Sequence, residues 1–462
     1  MRKPSVVARG PPAACMLARV RERRADAGLV TAVAAIVRLG VVAWASTRFP
    51  AVEDGHYYDV LARRLASGFG YTWLWPDGAV TYAAHYPVGY PAMLAVAYAV
   101  FGPSPGAAMT VNALVGAMGA YGAHRLVDGP GVARWRPIAG GLAVALHPAL
   151  VPYTAALMTE GIAASLVVVA AATAGGARGP GRASPWVIGA GLLMGLATLV
   201  RPQSLLLAPV LGVLAAQPDV GWKSRWRRAA AVTAIALGCV APWTVRNCAH
   251  MHRCALVSVN GGWNLLIGTA TSSGGWEPLT TPSECTTEWD EARKDACFAR
   301  AARAAILRAP GTWLARAPAK VATTLDYFGA APWYLHASAP DAFGDRAKVV
   351  LGTIETVASR MFLIGALLVA ARMDGSRASA RKVVAAIGAV AAFTVHGWIG
   401  YAALASCLVL SGWRTAARGP LIAPATAAVV IATMGVHATF FGAGRYGLSI
   451  VPFVAALAFA EG

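Results

Sequence analysis

The sequence predicts an all-α polytopic membrane protein with about twelve transmembrane helices and two outer-face loops, the second forming a small disulfide-bearing subdomain. Three observations predict it. Of 462 residues, 57% are apolar and 13% charged, against roughly 25% charged in a soluble domain. The apolar residues gather in runs near the length that spans a bilayer core. The basic residues gather between those runs.

The runs fall at about 29–47, 105–125, 137–152, 156–174, 186–200, 203–216, 229–246, 348–371, 383–397, 398–411, 420–441 and 446–460. No water-soluble core needs a dozen such segments, and a chain this apolar is not disordered. The net charge of +19, from 40 Lys+Arg against 21 Asp+Glu, would by itself suggest nucleic acid as a partner. Its placement says otherwise.

Arg2, Lys3, Arg9, Arg19, Arg21, Arg23 and Arg24 precede the first run. Further clusters lie at Arg125, Arg134 and Arg136; Arg178 and Arg182; Lys223, Arg225, Arg227 and Arg228; Arg372, Arg377, Arg381 and Lys382; and Arg414 and Arg418. All fall on one side of the predicted topology. The positive-inside rule makes that side cytoplasmic, with both termini there. The excess charge is thus an orientation signal. The first run is too long for a signal-peptide core and shows no clear cleavage site, so it reads as a signal anchor.

The chain divides into a basic cytoplasmic tail (1–28), an N-terminal transmembrane core (29–246) that includes an outer loop (48–104), a large outer loop (247–347) and C-terminal transmembrane helices (348–462). The expected location is a bacterial inner (plasma) membrane, with the site on the outer, periplasmic face.

Seven Cys are present. Cys239 and Cys407 lie in spans and Cys15 in the tail, where a thiol packs as a small apolar group. Cys248, Cys254, Cys285 and Cys297 share the large outer loop. An even number in an oxidising compartment suggests two disulfides. Of three connectivities, the local pairs Cys248–Cys254 and Cys285–Cys297 are favoured. A zinc site using His250 and His252 is the rival.

Glu53-Asp54-Gly55-His56-Tyr57-Tyr58 follows the first span, and a carboxylate held at the interface can act as a general base. Residues 81–102 read TYAAHYPVGYPAMLAVAYAVFG: a polar-aromatic strip, a Pro-Val-Gly-Tyr-Pro turn, then a short apolar helix. With Glu53-Asp54, this resembles the first outer loop of the GT-C superfamily of membrane glycosyltransferases. More narrowly it is similar to the polyprenyl-phosphate-sugar-dependent transferases, which include the protein O-mannosyltransferases and lipid A aminoarabinose transferases. Leu157-Met158-Thr159-Glu160, Gly195 to Pro202 (GLATLVRP), Pro242 to Asn247 (PWTVRN), Asn260 to Leu265 (NGGWNL), and Arg445-Tyr446 with Pro452 continue the resemblance in order. Three features depart from the pattern. His85 stands where aminoarabinose-transferase relatives carry a Lys, Tyr86-Pro87 stands where Pro-Pro is usual, and the acidic pair reads Glu-Asp rather than Asp-Glu.

The resemblance implies an inverting transfer of a sugar from a polyprenyl-phosphate donor to a protein, lipid or glycan acceptor. Asp54 is the candidate base, with Glu53 as second candidate. Arg201, Arg246 and Arg445, each at the outer end of a span, are candidates to hold the donor phosphate through their forked donors, together with His85. Glu160, Tyr57, Tyr86, Asn260 and Tyr446 are candidates to position substrate. A groove for the isoprenoid tail must open between helices. Arg38, inside the first span, reads as a structural ion pair or a snorkelling side chain.

An amphipathic piece at 290–308 suits either a cover for the site or a plain domain helix. Trp263, Trp276, Trp289, Trp313 and Trp333 suit sugar stacking or interfacial anchoring. There is no nucleotide-binding Gly loop, Walker motif or HExxH. No cofactor is required by these residues, although Glu53 and Asp54 could host a divalent metal. Membrane lipids are expected partners and nucleic acid is not. The alternative function is a transporter or flippase of lipid-linked sugars. Such folds show paired broken helices and midplane polar groups, whereas the polar residues here concentrate in two unequal outer segments. A structural subunit without activity is the third reading.

Overall fold

A computed structural model of the protein describes residues 13–179, 182–251, 253–374, 377–412 and 418–461, with the main chain alone for 13–20. Of the residues singled out above, Arg2, Lys3, Arg9, His252 and Arg414 lie outside the described residues. Helix α1 (Ala13–Ala45) carries the first apolar run. The outer segment after it holds α2 (Asp54–Ala66), a hairpin of β1 (Thr72–Leu74) and β2 (Val80–Tyr82), and α3 (Gly89–Phe101). The strands are antiparallel, with Thr72 opposite Tyr82. The hairpin is absent from the expectation above because three-residue strands show too little alternation to read.

Then follow α4 (Pro105–Val127), α5 (Trp135–Ala145), α6 (Glu160–Gly176), α7 (Ser184–Val200), α8 (Ala208–Leu214) and α9 (Trp222–His250). Pro105 and the Ser104 hydroxyl, which accepts from Ala107 N at 3.2 Å, start α4, a cap that satisfies an otherwise unpaired amide. The large outer loop holds α10 (Gly261–Ala270), α11 (Glu291–Arg308), α12 (Pro310–Ala315), α13 (Ala317–Leu325) and α14 (Ala330–Ser338). The C-terminal part holds α15 (Asp345–Arg372), α16 (Ala378–Ala392), α17 (Gly397–Leu410), α18 (Ile422–Thr439) and α19 (Val451–Leu457).

Each of the twelve apolar runs coincides with a helix, but their lengths differ from the expectation. By length and composition, four described helices can cross a membrane: Arg21–Ala45 within α1, and α9, α15 and α18. Proline accounts for two of the shorter ones. The run at 203–216 is split into a 3₁₀ turn, Pro202–Leu207, and α8. The run at 446–460 is split into the 3₁₀ turn Gly444–Ser449 and α19, at Pro452. Proline lacks the amide that would continue the ladder. Large apolar side chains such as Ile36, Val245, Val357 and Ile431 stay exposed on the long helices. Such a surface suits hydrocarbon better than water.

Helix α4 packs against α1, α5 and α6, and α7 against α6 and α9. Two polar side chains repair the backbone where this core is interrupted. Asn112 on α4 donates to the carbonyls of Thr154 (3.1 Å) and Ala156 (2.8 Å) and accepts from Tyr90 OH (2.9 Å). It thereby fixes the irregular segment that leads into α6. Arg38 donates to the carbonyls of Ala145 (2.8 Å) and Val144 (3.2 Å) at the end of α5. The expectation of an acid partner or snorkelling is corrected: Arg38 is buried on the last carbonyls of a helix, groups left without amide partners.

Candidate functional site

Four charged side chains meet where α2, α6, α7 and the Gly444–Ser449 turn converge. Each reaches that point for a local reason. Asp54 is the first residue of α2, preceded by Glu53 at φ 53°, a conformation that L-residues seldom adopt. Gly55 follows because a Cβ there would lie 2.7 Å from Tyr334 Oη and 2.9 Å from the Leu157 carbonyl. That close approach brings α2 onto the segment before α6. Glu160 opens α6, where the helix dipole favours a carboxylate. Arg201 ends α7 in an extended conformation, as a residue before proline must, here Pro202. Gly444 lets Arg445 approach, since a Cβ there would lie 2.3 Å from the Tyr327 carbonyl.

The geometry is a chain of ion pairs. Arg201 Nη1 lies 2.8 Å from Glu160 Oε1 and donates to Thr159 Oγ1 at 3.1 Å. Tyr153 OH donates to Glu160 Oε2 at 2.8 Å. Arg445 Nη1 lies 2.9 Å from Asp54 Oδ2, and its Nε lies 3.5 Å from Glu160 Oε1. Tyr86 OH donates to Asp54 Oδ1 at 3.2 Å. Burial, and then the Asp54 charge, push the Tyr86 phenol far above its ordinary range, so it stays a donor. The Tyr446 ring lies beneath both guanidiniums, with Cζ atoms 5.0 Å (Arg201) and 5.2 Å (Arg445) from its centroid, and stacks on His437 at 4.5 Å.

This cluster lines a cavity of about 2040 Å³, larger than the roughly 300–1,000 Å³ of a single small-molecule pocket. Glu53, Tyr57, His85 and Asn260 line it as well. Tyr57 stacks on Tyr86 at 5.2 Å. Asn260 Oδ1 accepts from Ser258 Oγ at 3.0 Å. Val200, Leu205, Leu206 and Pro209 give the cavity an apolar lining near Arg201 in the sequence. Trp263, Trp276, Trp289 and Trp333 line other parts of the wall, as do Lys294, Asp295 and Phe298 of α11. The amphipathic piece at 290–308 therefore forms part of the cavity wall.

Arg246 is placed differently. It does not line the cavity. Its two terminal nitrogens donate to the carbonyls of Ala83 and Tyr71, both at 2.8 Å, and its guanidinium lies 4.7 Å from the Trp243 ring centroid. It ties α9 to the hairpin, with both terminal nitrogens engaged there. Trp313 is likewise off the cavity wall. Both favoured disulfides, Cys248–Cys254 and Cys285–Cys297, are present. Among the described residues, no group of three His, Cys, Asp or Glu side chains could hold a metal ion.

Tyr153, Thr159 and His437 join the site without having been singled out. His437 carries a readable signal, as an ionisable residue in an apolar run. Tyr153 carries none, because only the fold brings its hydroxyl to Glu160.

No family model and no curated sequence matches the chain. Among solved structures it is similar to the archaeal oligosaccharyltransferase AglB from Archaeoglobus fulgidus in complex with an inhibitory peptide and a dolichol-phosphate. That match has 14% identity and a TM-score of 0.44, over 94% of this chain and 50% of that one. The apo form of the Archaeoglobus fulgidus oligosaccharyltransferase matches at 13% identity and a TM-score of 0.46, over 94% and 50%. ArnT from Cupriavidus metallidurans bound to undecaprenyl phosphate matches at 16% identity and a TM-score of 0.38, over 93% and 76%. The chain thus spans half the length of the oligosaccharyltransferase chain.

Proposed function

We propose that the protein is a membrane glycosyltransferase. In this reading it moves a sugar from a polyprenyl-phosphate donor to an acceptor on the outer face, with inversion. One observation carries the reading: a carboxylate and two guanidiniums, Asp54, Arg445 and Arg201, meet in a cavity that apolar side chains also line. The motif resemblance along the chain supports the same chemistry.

The acceptor hydroxyl attacks the anomeric carbon as the bond from that carbon to the phosphate oxygen breaks. The acceptor proton passes to Asp54, and the polyprenyl phosphate leaves with one more negative charge. Arg445 and Arg201 stabilise that charge where it develops, as preorganised donors do best. The apolar side chains of Val200, Leu205, Leu206 and Pro209 take the first isoprene units. The remaining volume, with its tryptophans, takes the acceptor. Arg246 has no part in this scheme, since its donors hold backbone carbonyls.

The test is transfer in proteoliposomes from a panel of polyprenyl-phosphate sugars, comparing wild type with Asp54→Asn. Wild type transfers at least one sugar, and Asp54→Asn loses about 10²- to 10⁴-fold, the range for a general base. Full activity in the mutant overturns Asp54 as the base. Donor movement across the bilayer without transfer supports a flippase instead.

A further inference from the structure

Glu291 is the first residue of α11, in the large outer loop, yet its carboxylate is engaged with the first outer segment. Its Oε1 accepts from Trp73 Nε1 at 2.6 Å. Its Oε2 accepts from the backbone amides of Ala84 at 2.6 Å and His85 at 2.8 Å. Three donors on one carboxylate make a strong, charge-assisted clamp. The clamp holds both sides of the hairpin, because Trp73 lies on β1 and Ala84 and His85 follow β2.

The next residue is Tyr86. Its ring packs edge-on against Trp73 at 6.4 Å, and its carbonyl accepts from Tyr71 OH at 2.8 Å. Its hydroxyl reaches Asp54. Glu291 therefore grips a ring beside Tyr86 and the two amides before it. On the next turns of α11, Lys294, Asp295 and Phe298 line the cavity, and Asp295 accepts from Trp263 N at 3.0 Å. The Cys285–Cys297 disulfide anchors the same helix.

We infer that Glu291 is a positioning residue for the base, joining the acceptor-side helix α11 to Asp54 through Tyr86. This rests on the glycosyltransferase reading for the identity of the base. An acceptor bound against α11 then acts, through one carboxylate, on the residue that orients Asp54. Glutamine cannot replace it, since all three partners are donors and an amide offers one acceptor oxygen and a donor of its own.

The test pairs kinetics with hydrogen–deuterium exchange on the full-length protein in proteoliposomes. Glu291→Gln lowers kcat between about 10- and 100-fold, the scale for a displaced reacting group, and leaves the donor KM within about two-fold. In a Tyr86→Phe background the same substitution has little further effect, because the two act as one unit. A loss of equal size in both backgrounds, or a raised KM with unchanged kcat, overturns the inference. Exchange at the Ala84 and His85 amides quickens in Glu291→Gln, and unchanged protection there overturns the inference whether or not a donor has been found. If Glu291→Gln fails to fold, Trp73→Phe, which removes one of the three donors, takes its place with a smaller kcat loss. Wild type inactive with every donor overturns the proposed function, and the exchange result then decides the clamp by itself.

Discussion

Arg445 holds Asp54 through a 2.9 Å contact and reaches Glu160 with the nitrogen on its other edge, 3.5 Å away. The candidate base is thus paired to a candidate phosphate ligand. In the proposed reaction, a donor phosphate entering the cavity would compete with Asp54 for that guanidinium, and donor binding would then release Asp54 to act as the base.

Arg445→Gln removes the partner of Asp54 and, in the proposed reaction, the phosphate contact as well. The expected outcome is a fall in kcat/KM of about 10²- to 10³-fold, the scale for losing one charge-stabilising donor. Arg445→Lys keeps the charge but loses the fork, so it recovers only part. Steady-state transfer assays on the two variants check this. Equal activity in Arg445→Gln and wild type refutes a role at the phosphate.

Glu160 and Arg201 form the buried half of the chain, with side chains 3% and 18% exposed. Glu160→Gln leaves the Arg201 charge without its acid, which costs about 3–5 kcal/mol. Arg201→Gln should cost less, because Arg445 and Tyr153 still meet Glu160, and the double variant should lose less than the sum of the two. A double-mutant cycle on unfolding in detergent measures the difference, and additive losses would show that the pair is not coupled.

Much of this was legible in the sequence, and what was not has a physical reason. The apolar runs marked the helices on which they fall, and among the described residues four of these are long and apolar enough to cross a membrane. Pro202 and the acidic start of α6 marked helix ends, so Arg201 and Glu160 could be placed at the outer side. A helix end does not fix which way a side chain turns. Arg246 and Arg445 looked alike in the sequence, yet one holds carbonyls and the other faces the cavity. Asn112 and Glu291 act on residues distant in sequence, and Tyr153 reaches Glu160 across the irregular segment before α6, so no periodic pattern encodes these pairings.

Arg38 shows how a buried charge can be satisfied without an acid. Replacing it with Met leaves the carbonyls of Val144 and Ala145 unpaired, at about 1–3 kcal/mol for each buried group. The melting temperature in detergent should fall for Arg38→Met and fall less for Arg38→Lys, which keeps a donor. No change in Arg38→Met would mean that those carbonyls find other partners.

Lys320 gives a prediction about pH. It is fully buried on α13, its ammonium donating to the carbonyls of Thr439 (3.3 Å) and Ala438 (3.4 Å) at the end of α18. Burial, and then the neighbouring Arg316 charge, lower its pKa to about 8. The unfolded chain has an ordinary lysine, near 10.4. Between those values the unfolded state binds more protons than the folded state, so stability rises with pH across that window. Below about pH 8 the folded protein carries the full cost of the buried charge. Wild type should therefore gain thermal stability between pH 8 and pH 10 relative to Lys320→Met, which has no proton to lose at this position. Other groups titrate over the same range in both proteins and cancel in the difference. Parallel melting curves for the two proteins across that window would show that Lys320 is not held in a lowered state.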